Sequence, residues 1–280
     1  MTRRRDKGAA VASLIVLAAV TAAAILAPML SPADPLRNDL LERLTPPMWS
    51  AGGSAAHPLG TDTLGRDVLS RLLYGARVSL VVGFVTVIIS GAAGVALGVL
   101  GGFYGGWLDD VLMRAGDVQL AFPVLLLGVA LLSVLGPGLV NLVLVLVVSG
   151  WITYARIVRG ETLSLKHREF VEAARALGAL DGRLIWRHLL PNVWAPIAVV
   201  ATFSVARTII AEASLSFLGL GVPAPTPSWG AMLDEGRNYI TTGWWLALFP
   251  GTAILIVVLV INLIGDWLRD ALDPRVERGI

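Results

Sequence analysis

Long uncharged runs alternate with short charged ones along this chain, and the lengths of the uncharged runs carry the first inference. A helix rising about 1.5 Å per residue needs roughly 20 predominantly apolar residues to cross about 30 Å of hydrocarbon. Runs of that order occupy residues 8–33, 78–108, 118–155, 191–218 and 244–265. The third is too long for one ordinary span, and Gly136, Pro137 and Gly138 stand in its middle as a turn signal, which predicts a hairpin of two helices. The expected fold class is therefore an all-α membrane protein with six transmembrane helices. The first run follows Arg3, Arg4, Arg5 and Lys7, as in a secretory signal. It is longer than a signal core and ends in Pro28, Pro32 and Pro35 rather than a small-residue cleavage site, so it reads as a first span.

The stretches between the runs sort by composition. Residues 34–77 are polar, carry both signs of charge and are punctuated by Pro and Gly, as expected of an exposed connection. Within it, residues 64–74 predict an interfacial helix, with Asp67 and Arg71 as an i,i+4 pair beside Leu64, Val68 and Leu72. Gly94, Gly98, Gly102 and Gly106 recur every fourth residue and predict a seam where another helix approaches closely. Residues 109–117 read as a short charged connection. Trp244 and Trp245 at one end of the last run and Trp267 at the other suit the two headgroup zones. The chain thus divides into 1–33 (amino terminus and first helix), 34–77 (connection with interfacial helix), 78–268 (a core of five helices) and 269–280 (tail).

Composition narrows the function. A mean hydropathy of +0.75 with 15% charged residues excludes an ordinary soluble domain. The chain has no cysteine, so disulfides, thiolate metal sites and a cysteine nucleophile are all excluded. A net charge of +2 spread over many loops gives no reason to expect nucleic acid as a partner. The only lysines, Lys7 and Lys166, precede Gly8 and His167, so no phosphate-binding loop of the Walker A type exists. His-Glu-x-x-His and Gly-x-Ser-x-Gly are absent too, and His57, His167 and His188 show no metal-ligand spacing. The expectation is a protein with no cofactor and no active site of its own. Six spans put both termini on one side; Lys and Arg number 15 on that side against 6 on the other, with Arg207 inside a span, which predicts cytoplasmic termini.

The most charged segment, residues 156–188, contains Glu172, Ala173, Ala174, three residues, Gly178, nine residues, then His188, Leu189, Leu190, Pro191. This resembles the EAA loop of bacterial ABC importer permeases at every position but one, His188 standing where the pattern has Ile. The run from His188 to Asn192 is similar to the form the motif takes in dipeptide and oligopeptide permeases. His57–Asp62, Leu64–Asp67, Ser70, Arg71 and Gly75, and later Glu212–Gly221, resemble further segments of the C-type permeases of dipeptide, oligopeptide, nickel and related importers. The resemblance implies a type I ABC importer permease fold in the inner membrane. It implies a homologous second permease, one or two cytoplasmic ATPase subunits and an extracytoplasmic substrate-binding protein as partners, besides membrane lipid. Residues 161–190 then hold the coupling helix, with Glu172, Ala173, Ala174, Gly178, His188, Leu190 and Pro191 serving ATPase coupling.

The residues agree with that role on their own terms. Phe170, Ala174 and Leu177 share one helical face, and Arg168, Glu172 and Arg175 share another. Gly178 can close this helix in a left-handed cap, Asp181 can begin the next, and Pro191 can open the following span. Arg207 and Glu212 are the charges deepest in a predicted span and are candidates for the pathway or for contacts between permeases. Five residues apart on a helix, they point about 140° from each other and do not pair directly. A secondary transporter driven by an ion gradient is the alternative, but the corresponding halves that such folds often show are not visible here.

Overall fold

The computed structural model describes residues 2–272, with side chains from Gly8 onward. Most of the predicted tail, 269–280, and the side chains of Arg3, Arg4, Arg5 and Lys7 lie outside the described residues. Helices dominate: α1 (Thr2–Ile25), α2 (Ala27–Leu30), α3 (Val68–Tyr104), α4 (Gly106–Leu120), α5 (Val124–Leu135), α6 (Leu139–Leu165), α7 (Glu169–Ala176), α8 (Asp181–Leu184), α9 (Leu190–Phe217), α10 (Trp229–Gly236) and α11 (Trp245–Leu272). Five stretches are long and apolar enough to cross a membrane, and α4 with α5 makes a sixth as a pair bent by 91°.

Packing fixes the direction of each crossing. A side chain at Gly94 would strike the Trp151 carbonyl, at Gly98 that of Ala155, and at Gly102 the Cβ of Thr162, so α3 and α6 run parallel with backbones in contact. This is the predicted glycine seam for three of its four members. Gly106 instead opens α4 with a φ of +62° and touches nothing. In the other direction, Ser79 of α3 meets Glu212 of α9, Gly83 meets Ile209, and Val99 clusters with Val193, so α9 is antiparallel to α3. Because α3 and α6 point the same way, α4 and α5 together carry the chain back across, and six crossings return it to the side where it began. Residues 156–190 mark that side, here the loop end; residues 34–67 mark the connection end.

Several sequence expectations change here. The charged stretch 109–117 is not a connection but part of α4, which packs along α6. Asp109 receives both Nε and a terminal nitrogen of Arg159 at 2.5 Å, and Asp117 pairs with Arg156. Gln119 accepts from the Trp151 indole at 2.8 Å and donates to the Ser149 carbonyl at 3.0 Å. The first arm of the predicted hairpin is therefore broken at 121–123, where Pro123 cannot donate a helical hydrogen bond; its turn at Gly136–Gly138 stands where expected, with φ of +82° and +156° at the two glycines.

The interfacial helix expected over 64–74 does not form as a separate element. Asp67 caps α3 by accepting from the Ser70 amide at 2.7 Å, and Val68–Tyr74 are the first turns of the span itself. Asp67 and Arg71 do not pair, because each has a different partner. Trp245 is buried, its indole donating to the Thr61 carbonyl at 3.0 Å, whereas Trp244 stays at the surface beside Phe249.

Candidate functional site

At the loop end the chain turns back on itself between α6 and α9. Lys166, just past α6, donates to the Gly102 carbonyl at 3.0 Å and so ties the loop to the end of α3. On α7, Glu169 and Glu172 lie in the first turn and Arg175 in the last, each sign favoured by the helix dipole at that end. Val171 is fully buried with Phe103, Leu184 and Leu189, and Ala174 and Ala179 pack at the edge of this cluster. The Arg175 guanidinium lies 5.8 Å from the Phe103 ring centre. One face of the short helix is thus nailed to the last turn of α3.

The face that spacing grouped is divided between interior and surface. Val171 and Ala174 turn inward, while Phe170 and Leu177, expected beside Ala174, stand 45% and 89% exposed, with Leu180 at 80%. These exposed apolar side chains stand away from the face that α7 buries against α3. Gly178 closes α7 as predicted. Its φ is +83°, its amide donates to the Arg175 carbonyl at 2.9 Å, and the Ala179 amide reaches back to the Ala174 carbonyl at 3.1 Å, the paired bonds of a Schellman cap. A side chain at Gly178 would meet nothing within 4 Å, so only the backbone conformation demands glycine there.

Asp181 is the first residue of α8 but makes no capping bond. A turn of π-helix at Ile185–Leu189 then leads into α9, closed by the Leu190 amide on the Ile185 carbonyl. His188 sits in this turn, half-buried, its ring 6.2 Å from that of Phe170, and its carbonyl accepts from the Asn192 side chain. Of the sequence-predicted coupling residues, Glu172, Ala173, Gly178 and Pro191 are exposed, and Ala174, His188 and Leu190 are half-buried. The structure brings all of them to one end of the bundle.

Arg207 and Glu212 part company, as the helical angle required. Glu212 is fully buried and accepts from Ser79 at 3.0 Å and Ser216 at 2.8 Å, joining α9 to α3. Arg207 is exposed on the opposite face of α9, in line with Ile210, Ser214 and Leu218, and makes no ion pair among the described residues.

Sequence reasoning missed a second constellation, at the connection end. Arg66 and Arg71 are buried between Asp62 and Glu235. Arg66 reaches Asp62 at 2.7 Å and Glu235 at 2.9 Å; Arg71 reaches Glu235 at 2.9 Å and also contacts Asp62. Beside them His57 lies between two carboxylates, with Nδ1 2.9 Å from Asp67 and Nε2 2.6 Å from Glu42. Burial works to lower the pKa of this imidazole, and the hydrogen bonds and charges of Asp67 and Glu42 outweigh it, so the net shift is upward. The density of charge over 57–71 was visible in the sequence; the fourth member, Glu235 on α10, is far away along the chain and nothing local points to it.

Five apolar spans and a bent pair that makes a sixth, with one short helix clamped under the longest, define a polytopic all-α membrane protein. Residues 94–278 match the family described as binding-protein-dependent transport system inner membrane component, and residues 3–47 match the N-terminal TM domain of oligopeptide transport permease C. The chain belongs to this family of ABC importer permeases. It is 45% identical over 98% of its length to the di/tripeptide transport system permease protein DppC of Pseudomonas aeruginosa, covering 90% of that protein. It is 42% identical over 99% of its length to the dipeptide permease DppC of Bacillus subtilis, covering 85% of it. A glutathione transport system permease protein, GsiD of Pectobacterium atrosepticum, is 45% identical over 81% of this chain and 75% of that one. Among solved structures, an inward-facing MetNI methionine ABC transporter chain shares the fold, with a TM-score of 0.58 at 20% identity over 73% of this chain and 97% of that one.

Proposed function

We propose that this permease imports dipeptides or oligopeptides, paired with a homologous second permease, and that residues 161–190 are where a cytoplasmic ATPase docks. Both termini then lie in the cytoplasm, and an extracytoplasmic binding protein delivers substrate to the connection end. The observation that carries the docking site is the divided character of α7. Val171 holds it rigidly to α3, while Phe170 and Leu177 are left uncovered beside Gly178. A helix fixed on one side and apolar on the other can receive a push and pass it on. The peptide assignment follows from the relatives, whose names include dipeptide, di/tripeptide and glutathione permeases.

Arg207 supports the pairing with a second permease. An arginine facing hydrocarbon in the middle of a span is costly, so the α9 face carrying Arg207 and Ser214 belongs against a partner helix or a watery pathway rather than lipid. Glu212, buried and bonded to two serines, is a packing contact between α3 and α9 rather than a pathway group.

The test is Gly178→Trp. Because the space around Gly178 is open, the indole meets no atom of the chain, and Gly178→Ala, which carries the same left-handed strain without the bulk, separates obstruction of a docking partner from distortion of α7. The expected result is normal membrane insertion with loss of uptake and loss of ATPase co-purification. Undiminished, ATP-dependent uptake would remove the coupling role, and uptake that persists without ATP would return the ion-gradient alternative.

A further inference from the structure

An open apolar cavity adjoins the end of the loop segment, where Leu190 and Pro191 form part of its lining. A groove of about 830 Å³ runs between α3 and the start of α9, floored by Tyr154 and walled by Val87, Ala92, Ala96 and Leu100 on one side and Trp186 and Trp194 on the other. From Val87 to Leu100 it is about 20 Å long at the helical rise, close to the thickness of one leaflet. Its walls are almost wholly apolar, as extended hydrocarbon chains require.

Its mouth has a different character. Trp186 and Trp194 stand 76% and 68% exposed at the loop end, where indoles favour the headgroup zone. On the same short segment Arg183 and Arg187 are exposed one turn apart on either side of Trp186, and His188 adjoins them; Asp181 is the one carboxylate on α8. Basic side chains on the segment that leads into an apolar groove between spans, here Arg183 and Arg187 either side of Trp186 along the chain, suit an anionic headgroup. We propose that this groove binds an anionic phospholipid of the cytoplasmic leaflet, acyl chains along α3 and headgroup on Arg183 and Arg187. The proposal rests on the reading that residues 161–190 face the cytoplasm.

This chain has no cysteine, so an introduced thiol is its only one, and the same assembly without the substitution measures any label taken up by the partner subunits. Ala96→Cys in the assembled transporter is labelled with a fluorophore and placed in nanodiscs of phosphatidylcholine containing a minor fraction of either acyl-brominated phosphatidylglycerol or acyl-brominated phosphatidylcholine. Half-quenching by the brominated phosphatidylglycerol is expected at a lower fraction, and each of Arg183→Gln and Arg187→Gln should raise that fraction about fivefold. Equal quenching by the two lipids, unaltered by the arginine variants, overturns the headgroup site. No quenching, together with crosslinking of the introduced thiol to the second permease, overturns the proposal in favour of a protein occupant. Labelling of Arg183→Cys by an impermeant thiol reagent from the outer face alone overturns the orientation while leaving the lipid site to be judged on the quenching.

Discussion

The two ends of this bundle solve opposite problems with similar residues. Both are rich in charge, yet at the connection end Arg66, Arg71 and Asp62 are buried against one another, whereas on the coupling segment Glu172, Arg175, Arg183 and Arg187 stand exposed. Arg71 is 2% exposed, locked between Asp62 and Glu235, and its neighbours bring the 34–67 segment, α3 and α10 to a common point. Arg175 shares only the Phe103 ring, and Glu172 has His167 at 4.0 Å with both side chains more than half exposed. A buried network fixes geometry through the cost of leaving any member alone, while a solvated set of charges leaves the helix beneath it free to meet a partner. One end is built to hold its shape; the other leaves Phe170 and Leu177 uncovered, which is what the proposed docking requires.

That contrast breaks most sharply on the network. Asp62→Asn leaves Arg66 and Arg71 short of a counter-charge and should cost about 3–5 kcal/mol, seen as a lowered unfolding temperature in detergent. Arg175→Ala at the loop end should stay within about 0.5 kcal/mol in the same measurement. Gly98→Leu, in the α3–α6 seam toward the loop end, drives a side chain into the Ala155 backbone and should cost about 1–3 kcal/mol or more, with loss of membrane-inserted protein on a blot. Gly178→Ala meets no atom, so its cost is the left-handed backbone alone, about 1–2 kcal/mol confined to α7, and should appear as faster amide exchange in 169–179 with the connection end unchanged.

The smallest effect depends on pH. With both ring nitrogens facing carboxylates, His57 satisfies Glu42 and Asp67 together only as the imidazolium. Its folded pKa is raised, so the stabilisation is fully present below the unfolded value of about 6.5 and is lost as pH rises through the folded pKa. Amide exchange in 40–62, corrected for its intrinsic pH dependence, should therefore quicken on alkalinisation, and His57→Gln should abolish that dependence. A wild-type profile flat from mildly acidic to alkaline pH would show that the imidazolium holds nothing.

How much of this was legible beforehand depended on how local each cause was. The glycine seam, the Gly178 cap and the Gly136–Gly138 turn follow from a few adjacent residues and stand where the sequence put them. The inward face of α7 did not follow, because Val171 and Phe170 are equally apolar and only the position of Phe103, at the end of another helix, decides which is buried. The charges of α4 misled for a related reason. Asp109 and Asp117 look like loop residues until Arg159 and Arg156 are brought alongside by the parallel packing of α3 and α6. Glu235 was invisible as a partner of Arg66 because long-range pairing leaves no spacing to read.

The 37 residues of α3 run without interruption from the Asp67 cap to Tyr104, about 55 Å at the helical rise. Its first turn is set in the ionic network and its last under Val171 and Lys166. Such an element behaves as a connecting rod. Any tilt imposed where α7 is gripped reappears, with the lever arm of the full span, at the opposite mouth of the protein, and the absence of a joint before Gly105 means the stroke is not absorbed on the way.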